Sequence, residues 1–324
     1  MNPEEFMAMQ KWDYEDKVAH AEDRCWSFYK KMGGKVFVSV GGLDSATLTL
    51  FLWKYIDPDI PAVSVSSLEH KSIQQMHRQL AEMGPFEYLM PEKSKVEVIK
   101  EFGYPVISKG KAMVIEMWQN PTKRNLKTRL QSLNSDGGSH KFKLNKKEQS
   151  LFVTHNSPFK VSNKCCYYMK EKPCDRYAKH TGRAVIMGLM ASEGGQREKA
   201  LMKHGCNFYG KTVTRSCPFA IFSRQDILRL ALDMKTPVPA IYGEIKHQPD
   251  GTLETTKAKR TGCTMCGFGI HMEKRPHRFD RLREESPKEW HFWMYTMGWG
   301  KVLNYIGVAW ENRPEQQGRL ITYI

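Results

Sequence analysis

The sequence contains no hydrophobic stretch long enough to cross a membrane. Its longest apolar run, TLTLFLW, is far shorter than the ~18–20 residues that a membrane-spanning helix requires. The first residues, MNPEEFMAMQKWDYED, are acidic and lack the basic and apolar regions of a secretory signal peptide. These two absences argue against a membrane protein and against a secreted one. They predict a cytoplasmic location, where the eight cysteines stay reduced instead of forming a disulfide framework.

Acidic residues are also few relative to basic ones. The 324 residues include 50 Lys and Arg but only 35 Asp and Glu, which leaves a net charge of +15. Such a surplus favours polyanionic partners, either nucleotides or nucleic acid. A basic surface that merely keeps the protein soluble is the alternative explanation. With 40% hydrophobic and 26% charged residues, the chain has the composition of a folded protein with a substantial core.

No internal repeat is visible, but strand-like and helical segments alternate along much of the chain. The β-branched run KVFVSV (35–40) is followed by two glycines and an apolar helical stretch that ends near Tyr55. The alternation predicts an α/β fold with right-handed crossovers, in which a Rossmann-like, mainly parallel sheet is flanked by helices. Further strands are expected at 62–66, 86–90 and 184–190, and further helices at 1–30, 71–83, 94–102, 224–234, 278–284 and 288–297.

The pattern divides the chain into three segments. We expect an N-terminal helical segment at 1–30 and a nucleotide-binding α/β domain at 31–260. A Cys-rich, aromatic-rich part at 261–324 is expected to pack on the same domain as a helical cap. A basic insertion at about 120–150 interrupts the α/β pattern and carries the turn sequence SDGGSH. It is expected to be a partly mobile, solvated surface loop or a contact for DNA or RNA.

The segment from Ser39 to Ser45 (SVGGLDS) joins the first predicted strand to a helix N-terminus. Glycines at such a turn allow backbone N–H groups to approach an anion, which the helix dipole also favours. Asp44 and Ser45 are candidate helix caps, and the Ser45 hydroxyl is expected to be free to donate to a phosphate oxygen. The turn matches neither the Walker pattern GxxxxGK[ST] nor GxGxxG. A purely structural strand–helix turn is the alternative at this point.

Four cysteines form two close pairs, the adjacent Cys165 and Cys166 and the CxxC pair Cys263 and Cys266. Four thiolates are a complete ligand set for a 4Fe–4S cluster or for tetrahedral zinc. Because adjacent cysteines do not easily chelate one small ion, the CC pair favours the cluster, in which separate irons accept separate thiolates. Ordinary buried cysteines are the alternative.

These motifs resemble those of a known superfamily. GGLDS after a first strand is similar to the SGGxDS pyrophosphate loop (PP-loop) of the adenine nucleotide α-hydrolases, or ATP pyrophosphatases, although Val40 stands where those enzymes have a serine. Three further segments resemble the phosphoadenosine-phosphosulfate (PAPS) reductase-like family: SNKCCYYMKEKPCDRYAKHTGRAVIMGLMASEGGQR, CPFAIFSRQDILRLA and RTGCTMCGFGIHMEKRPHRF. Together with the predicted strand end SLEH (67–70), the resemblance covers about residues 30–310.

The resemblance implies an enzyme that binds an adenine nucleotide, with ATP and Mg²⁺ as cofactors. It assigns nucleotide binding to Ser39, Gly41, Gly42, Asp44, Ser45, Glu69, Arg183 and Glu193, and catalysis to Asp44, Ser45, Lys170 and Arg197, with Arg260 as a further cation. In cluster-bearing relatives the two cysteine pairs ligate one 4Fe–4S centre, which carries over to Cys165, Cys166, Cys263 and Cys266. Zinc is the alternative to the cluster.

One absence distinguishes between branches of the family. Sulfonucleotide reductases use a C-terminal cysteine to resolve sulfite, whereas no cysteine follows Cys266 here. This absence and the largely retained PP-loop favour an ATP-cleaving relative. The chain looks similar to phage and prophage PAPS reductase-like proteins, to the ATPases of DNA phosphorothioation and to cluster-dependent tRNA thiolases.

The implied reaction is adenylylation of an acceptor followed by sulfur transfer. DNA and RNA are candidate acceptors, and a sulfur donor protein or a cysteine desulfurase is a candidate partner. A sulfonucleotide reductase that uses an external thiol is one alternative. A zinc-stapled nucleic-acid-binding protein without catalysis is the other, and the sequence makes no prediction of the oligomeric state.

Overall fold

The fold is described from a computed structural model of the chain, which describes residues 2–65, 69–133, 142–211, 213–259 and 261–311. The chain forms two compact units. The first unit comprises Met1–Pro91 and Lys170–Gly262, and the second comprises Glu92–Met169 and Cys263–Ile324. No helix in the described parts of the chain is long and apolar enough to cross a membrane.

The strands confirm the predicted α/β class. In chain order they are β1 (Val36–Ser39), β2 (Ala62–Ser64), β3 (Phe86–Tyr88), β4 (Val106–Ile107), β5 (Ala184–Ile186), β6 (Asn207–Tyr209), β7 (Thr214–Ser216), β8 (Ile245–His247), β9 (Leu253–Thr255) and β10 (Gly267–Phe268). In the first unit, six strands form one sheet in the order β3-β2-β1-β5-β7-β6. All neighbours in this sheet are parallel except β6, which pairs antiparallel to β7.

The centre of this sheet is the buried strand β1. It pairs on one side with β2, where Val38 is opposite Ala62, and on the other with β5, where Phe37 is opposite Val185. Its residues are buried on both faces because helices cover both sides of a parallel sheet. Ser39, at the carboxyl end of β1, therefore lies at the sheet edge where α/β folds bind ligands.

The helices alternate with these strands. They are α1 (Pro3–Met9), α2 (Tyr14–Lys31), α3 (Leu43–Tyr55), α4 (Lys71–Met83), α5 (Lys95–Phe102), α6 (Lys109–Gln119), α7 (Leu126–Ser132), α8 (Lys146–Gln149), α9 (Lys164–Cys166), α10 (Lys172–Thr181), α11 (Gly195–His204), α12 (Arg224–Asp233), α13 (Arg278–Glu285), α14 (Pro287–His291) and α15 (Trp299–Ile306). Short π-helical turns occupy Ser150–Thr154, Tyr167–Glu171 and Phe292–Thr296, and 3-10 turns occupy Ala191–Glu193 and Ile270–Met272.

Local capping explains several helix starts. Ser223 begins α12 with a capping box, in which its hydroxyl accepts from the Asp226 N–H and the Asp226 carboxylate accepts from the Ser223 N–H. Ser94 begins α5 in the same way. The N-terminal segment that was predicted as one helix forms two, because the extended backbone of Asp13 starts a new helix at Tyr14.

The second unit has its own core, which joins residues from both of its chain segments. Phe152, Phe279 and Trp299 are fully buried in it, and the Tyr305 hydroxyl donates to the Leu151 carbonyl over 2.6 Å. Strand β10 pairs in parallel with β4 in the same unit. The C-terminal part therefore packs with residues 92–169, and the compact units divide the chain at other positions than the three segments expected from the sequence.

The described parts of the basic insertion are helical and belong to the second unit. They form α7 and α8. Leu144, which precedes α8 in the chain, is buried. The Lys111 ammonium donates to both carboxylate oxygens of Glu148, each over 2.7 Å, which ties α8 to α6. The SDGGSH turn sequence and Lys141 lie outside the described residues.

Candidate functional site

The glycine turn lies at the carboxyl end of β1, as the sequence predicted. Helix α3 begins directly after it at Leu43, and Gly42 is the N-cap residue, without a side-chain cap. Asp44 and Ser45 therefore belong to the first turn of the helix, where a negative charge is favourable. The Ser45 hydroxyl accepts from the Gly41 N–H over 2.8 Å and donates to the Gly42 carbonyl over 3.0 Å. The sequence predicted that this hydroxyl proton is free for a phosphate oxygen, but in the structure it is directed to the loop.

A buried histidine from α4 orients this loop. The Nε2–H of His77 donates to the Gly41 carbonyl over 2.8 Å. The C=O and N–H groups of a trans peptide point in opposite directions, so the bond turns the N–H of Gly42 away from His77. Burial lowers the pKa of His77, although the Gly41 hydrogen bond opposes this effect. Sequence analysis missed His77, whose only signal is its position on the buried face of α4.

The loop lines a cavity of about 630 Å³ within the first unit, a size typical of ligand pockets. Several residues assigned from the resemblance line it: Ser39, Gly41, Gly42, Asp44, Ser45, Glu193 and Arg197. Apolar side chains from other elements complete the wall, among them Met187, Leu189, Met190, Leu228 and Leu253. The cavity lining therefore combines polar groups of the loop with apolar side chains.

Arg224, the first residue of α12, is a cation of this cavity that sequence analysis did not single out. Its Nη1 donates to Oδ1 of Asp44 over 2.7 Å, and the two side chains are each about one-third exposed (33% and 30%). Its Nη2 atom is buried and has no hydrogen-bond partner among the described residues. Because an unpaired buried donor is unfavourable, this N–H is prepared to donate to a bound ligand.

Glu193 contributes a hydrogen-bond acceptor to the same cavity, whereas Arg224 contributes a donor. Its Oε1 accepts from the guanidinium of Arg197, one helical turn further along the chain. Its Oε2 is buried and, within the described parts of the chain, has no hydrogen-bond partner. Within the described part of the chain, the cavity lining thus includes a donor, Nη2 of Arg224, and an acceptor, Oε2 of Glu193, that have no protein partner.

Two glycines allow close packing around the loop. A Cβ at Gly42 would lie 2.8 Å from the hydroxyl oxygen of Tyr242, and a Cβ at Gly188 would lie 3.0 Å from the carbonyl oxygen of Asp44. Tyr242 also hydrogen-bonds Thr261 over 2.9 Å, and burial raises the pKa of its phenol. Neither Gly188 nor Tyr242 was identified from the sequence, because their roles depend on contacts between distant segments.

Three residues assigned from the resemblance do not line the cavity, namely Glu69, Lys170 and Arg183. The Lys170 ammonium pairs with the buried carboxylate of Glu69 over 2.5 Å. Arg183 donates to the carbonyl of Val36, at the amino end of β1 and thus at the opposite end of the strand from Ser39. Its role there is to bind backbone carbonyls. Arg260 lies outside the described residues, as do positions 67 and 68 of the predicted strand end.

The four cysteines assigned to a metal lie together in the second unit. Burial raises the pKa of the Cys165 thiol to about 12, while Lys95 opposes this effect and the thiols of Cys263, Cys166 and Cys266 add to it. The four sulfur atoms are therefore near enough to interact. However, no three His, Cys, Asp or Glu side chains in the described ranges are placed to hold a single metal ion. A zinc ion needs such a compact set, with Zn–S bonds of about 2.3 Å.

A second glycine-rich segment matches the Walker letters GxxxxGK[ST] at 205–212, a match that sequence analysis overlooked. In the structure Gly205 precedes β6, and Gly210 follows β6 in the connection to the antiparallel strand β7. A phosphate-binding P-loop instead leads from a strand into a helix N-terminus. The structural context therefore argues against nucleotide binding at this segment, of which Thr212 lies outside the described residues.

Comparison with known proteins gives a family match over part of the chain. Residues 114–268 match the family model of the phosphoadenosine phosphosulfate (PAPS) reductase domain. This stretch of the chain, slightly less than half of its 324 residues, is thus similar to that domain. The matched stretch of this domain includes the four cysteines, Glu193, Arg197 and Arg224, but it does not include the glycine loop at 39–45.

Two solved structures are similar to this chain at low sequence identity. A PAPS reductase from Candida auris, in a phosphate complex, is 11% identical, covers 67% of this chain and 83% of its own, and has a TM-score of 0.37. The U34-tRNA thiolase NcsA from Methanococcus maripaludis, with its [4Fe-4S] cluster, is 12% identical, covers 90% and 80%, and has a TM-score of 0.35. With TM-scores below 0.5, neither supports a statement about this chain. No curated protein matches it significantly.

The burial of His77 predicts a pH dependence of the stability of this protein. As the pH falls through ~6.5, an unfolded histidine binds a proton, whereas folded His77, whose pKa is lowered by burial, binds its proton only at a lower pH. The unfolded state then binds more protons, so the free energy of unfolding falls as the pH drops, by at most about 1.4 kcal/mol per pH unit for this one group. Urea unfolding at pH 7.5 and 5.5 measures the fall.

The variant His77→Gln isolates the effect, because its amide can still donate to Gly41 but does not titrate in this range. We expect a smaller fall in stability between the two pH values for this variant than for the wild type. His247→Gln, on exposed β8, is the matched control and should keep the wild-type fall. An equal fall in wild type and His77→Gln would contradict the prediction.

Proposed function

We propose that the chain is a PP-loop ATP pyrophosphatase, which adenylylates an acceptor for sulfur transfer. The observation that carries the proposal is the cavity at the N-terminus of α3, where the glycine loop meets the unpaired N–H of Arg224. Backbone N–H groups at a helix N-terminus and an arginine donor are the groups that recognise phosphate. The apolar wall of the same cavity suits a nucleobase.

In this proposal the β- and γ-phosphates bind at Gly41, Gly42 and the first turn of α3. The Oε2 atom of Glu193 would accept from a hydroxyl or amino group of the nucleoside. Mg²⁺ would arrive with the nucleotide, since it commonly keeps several waters and uses one or two carboxylates together with phosphate oxygens. Asp44 is the carboxylate of the glycine loop itself and lines the cavity.

The chemistry is a displacement at the α-phosphorus. An oxygen of the acceptor forms the new O–P bond, and pyrophosphate leaves with the electron pair of the bond that breaks, which gives an adenylylated acceptor. A sulfur nucleophile from a donor protein or a cysteine desulfurase then forms a bond to the acceptor atom that carries this oxygen. The bond between that atom and the oxygen breaks, and AMP leaves with the oxygen and the electron pair. Arg224 and Arg197 are the guanidinium groups in the cavity that would offset the charge developing on pyrophosphate.

The four cysteines of the second unit would hold a 4Fe–4S cluster in this function. The donor set fits the group, because four thiols lie near one another and each iron of the cluster takes one thiolate. When bound, such a cluster supplies iron that can bind a sulfur species.

Nucleic acid is the acceptor that the charge distribution favours. Residues 92–133 and 142–169 of the second unit include fourteen Lys and Arg but only five Asp and Glu. Such an excess attracts the phosphate backbone of DNA or RNA.

A sulfonucleotide reductase with an external thiol is the second candidate function, and the match to the PAPS reductase domain favours it. The test is an anaerobic assay of the purified chain with ATP, PAPS or adenosine phosphosulfate, each with and without tRNA and DNA. We expect pyrophosphate from ATP, with nucleic acid stimulating its release. Sulfite from PAPS in the presence of a thiol, without pyrophosphate from ATP, would establish the reductase instead.

A further inference from the structure

Arg224 differs from the other cations near the cavity in how its donors are used. Lys259 at the rim is 78% exposed and pairs with Glu254 over 2.9 Å, and Arg197 is 52% exposed and pairs with Glu193. Arg224 is more enclosed, and only one side of its guanidinium is bonded to Asp44. Its second terminal nitrogen is buried and unpaired among the described residues. This nitrogen is therefore a donor with a fixed direction and no protein acceptor.

The loop itself offers one donor fewer than the PP-loop pattern. Val40 occupies the position where that pattern has a serine, and its side chain is 5% exposed within the apolar core of the first unit. The N–H of Val40 is bonded to the Val63 carbonyl over 2.8 Å, so it continues the pairing of the sheet. The Ser45 hydroxyl proton is directed to Gly42. Neither residue 40 nor Ser45 thus provides a hydroxyl donor for a phosphate oxygen.

We infer that Arg224 binds the phosphate chain of the ligand and provides the donor that the loop lacks at Val40. The inference rests on the proposed function, which it deepens, since it assigns recognition of the pyrophosphate part of ATP to a residue of α12. Nη1 stays on Asp44 while the N–H of Nη2 donates to a phosphate oxygen. The carboxylate thereby holds the guanidinium in position, and the ligand satisfies the unpaired donor.

The geometry requires arginine and not any cation. A guanidinium is planar and holds its N–H groups in a fixed fork, so it can bond a carboxylate and a phosphate oxygen at the same time. A lysine ammonium is a compact charge on a flexible stem and does not reproduce this fork. The same feature predicts selectivity, because a ligand without a phosphate chain leaves Nη2 unpaired.

The inference is tested by calorimetric binding of Mg-ATP, inorganic pyrophosphate and adenosine to the full chain. For Arg224→Gln we expect the affinity for Mg-ATP and pyrophosphate to fall at least tenfold, and that for adenosine to change less than threefold. Arg224→Lys should recover only part of the loss. Lys259→Gln, which removes one cation from the rim of the same cavity, should change each affinity less than threefold.

A further variant separates direct contact from a role through Asp44. If Arg224 contacts phosphate directly, Asp44→Asn keeps or increases the affinity for Mg-free pyrophosphate, because a negative charge is lost while the guanidinium remains. If Arg224 only positions Asp44, which acts through Mg²⁺, Arg224→Gln leaves the affinity for Mg-free pyrophosphate unchanged, and the inference is overturned. It is equally overturned if Arg224→Gln binds pyrophosphate like the wild type.

The results also distinguish this inference from the proposed function. Tight, Arg224-dependent binding of pyrophosphate without release of pyrophosphate from ATP would support the inference and refute the proposed activity. Turnover of ATP that is unaffected by Arg224→Gln would do the reverse. A wild-type chain that binds neither ATP nor pyrophosphate would refute both.

Discussion

Asp44→Ala is expected to reduce the release of pyrophosphate from ATP by about 10²–10³-fold in kcat/KM, the range seen when one preorganised polar group is removed from an active site. Asp44 lies in the first turn of α3, lines the cavity and holds Nη1 of Arg224 over 2.7 Å. Without its carboxylate, the proposed site loses a Mg²⁺ ligand and the group that orients this guanidinium. Measuring pyrophosphate release over a range of ATP and Mg²⁺ concentrations tests the prediction.

The control for this variant is Glu254→Gln. Glu254 is a carboxylate at the rim of the same cavity, but it is 45% exposed and paired with Lys259. We expect its turnover to remain within about threefold of the wild type, since exposed ion pairs contribute little. Thermal unfolding of both variants is the measurement that checks whether they are folded. An Asp44→Ala variant that is folded and retains wild-type turnover would refute the assigned role of the loop.

Cys263→Ser is expected to abolish iron binding in anaerobically purified protein. For the wild type we expect about four irons per chain and a broad absorption band near ~400 nm, both of which depend on four thiolate ligands. Cys263 lies with Cys166 and Cys266 around the buried Cys165. The side chain of serine is a poorer ligand for iron, so the variant should lose both the iron and the band. Iron and zinc analysis with a UV–visible spectrum provides the measurement.

Cys174→Ser is the matched control, because Cys174 belongs to the first unit and lies 3.8 Å from the Ser39 hydroxyl. It should retain the full iron content and the spectrum. One zinc and no iron in the wild type would contradict the 4Fe–4S proposal and leave a zinc-stapled nucleotide-binding protein. Iron that survives in Cys263→Ser would show that the four cysteines are not the ligand set.

Local chemistry made much of the fold predictable. The β-branched run before two glycines specified a strand, a turn and a helix, and α4 has the expected bounds of Lys71–Met83. The helices that begin after Ser94 and Ser223 were predicted, and both start with a capping box, which uses residues only three positions apart. The pairing of the cysteines was also visible in the sequence, since each pair is formed by near neighbours.

The boundaries of the compact units were not predictable in this way. The sequence suggested a C-terminal cap on a continuous domain, whereas the C-terminal part packs with residues 92–169 around Phe152 and Trp299. Hydrophobic periodicity shows which face of a helix is buried, but it does not show which partner covers that face. The choice of partner depends on how all the apolar faces fill a core together.

The sequence by itself determined the α/β class, the position of the glycine loop and the residue types for a nucleotide site. Only the tertiary structure decided which cations reach that site. It brings Arg224 to Asp44 across 180 positions and His77 to Gly41 across 36, while it places Arg183 at the other end of β1. The physical reason is that helix caps and turns depend on neighbouring residues. An ion pair or a buried hydrogen bond between distant segments depends instead on how packing orients their side chains.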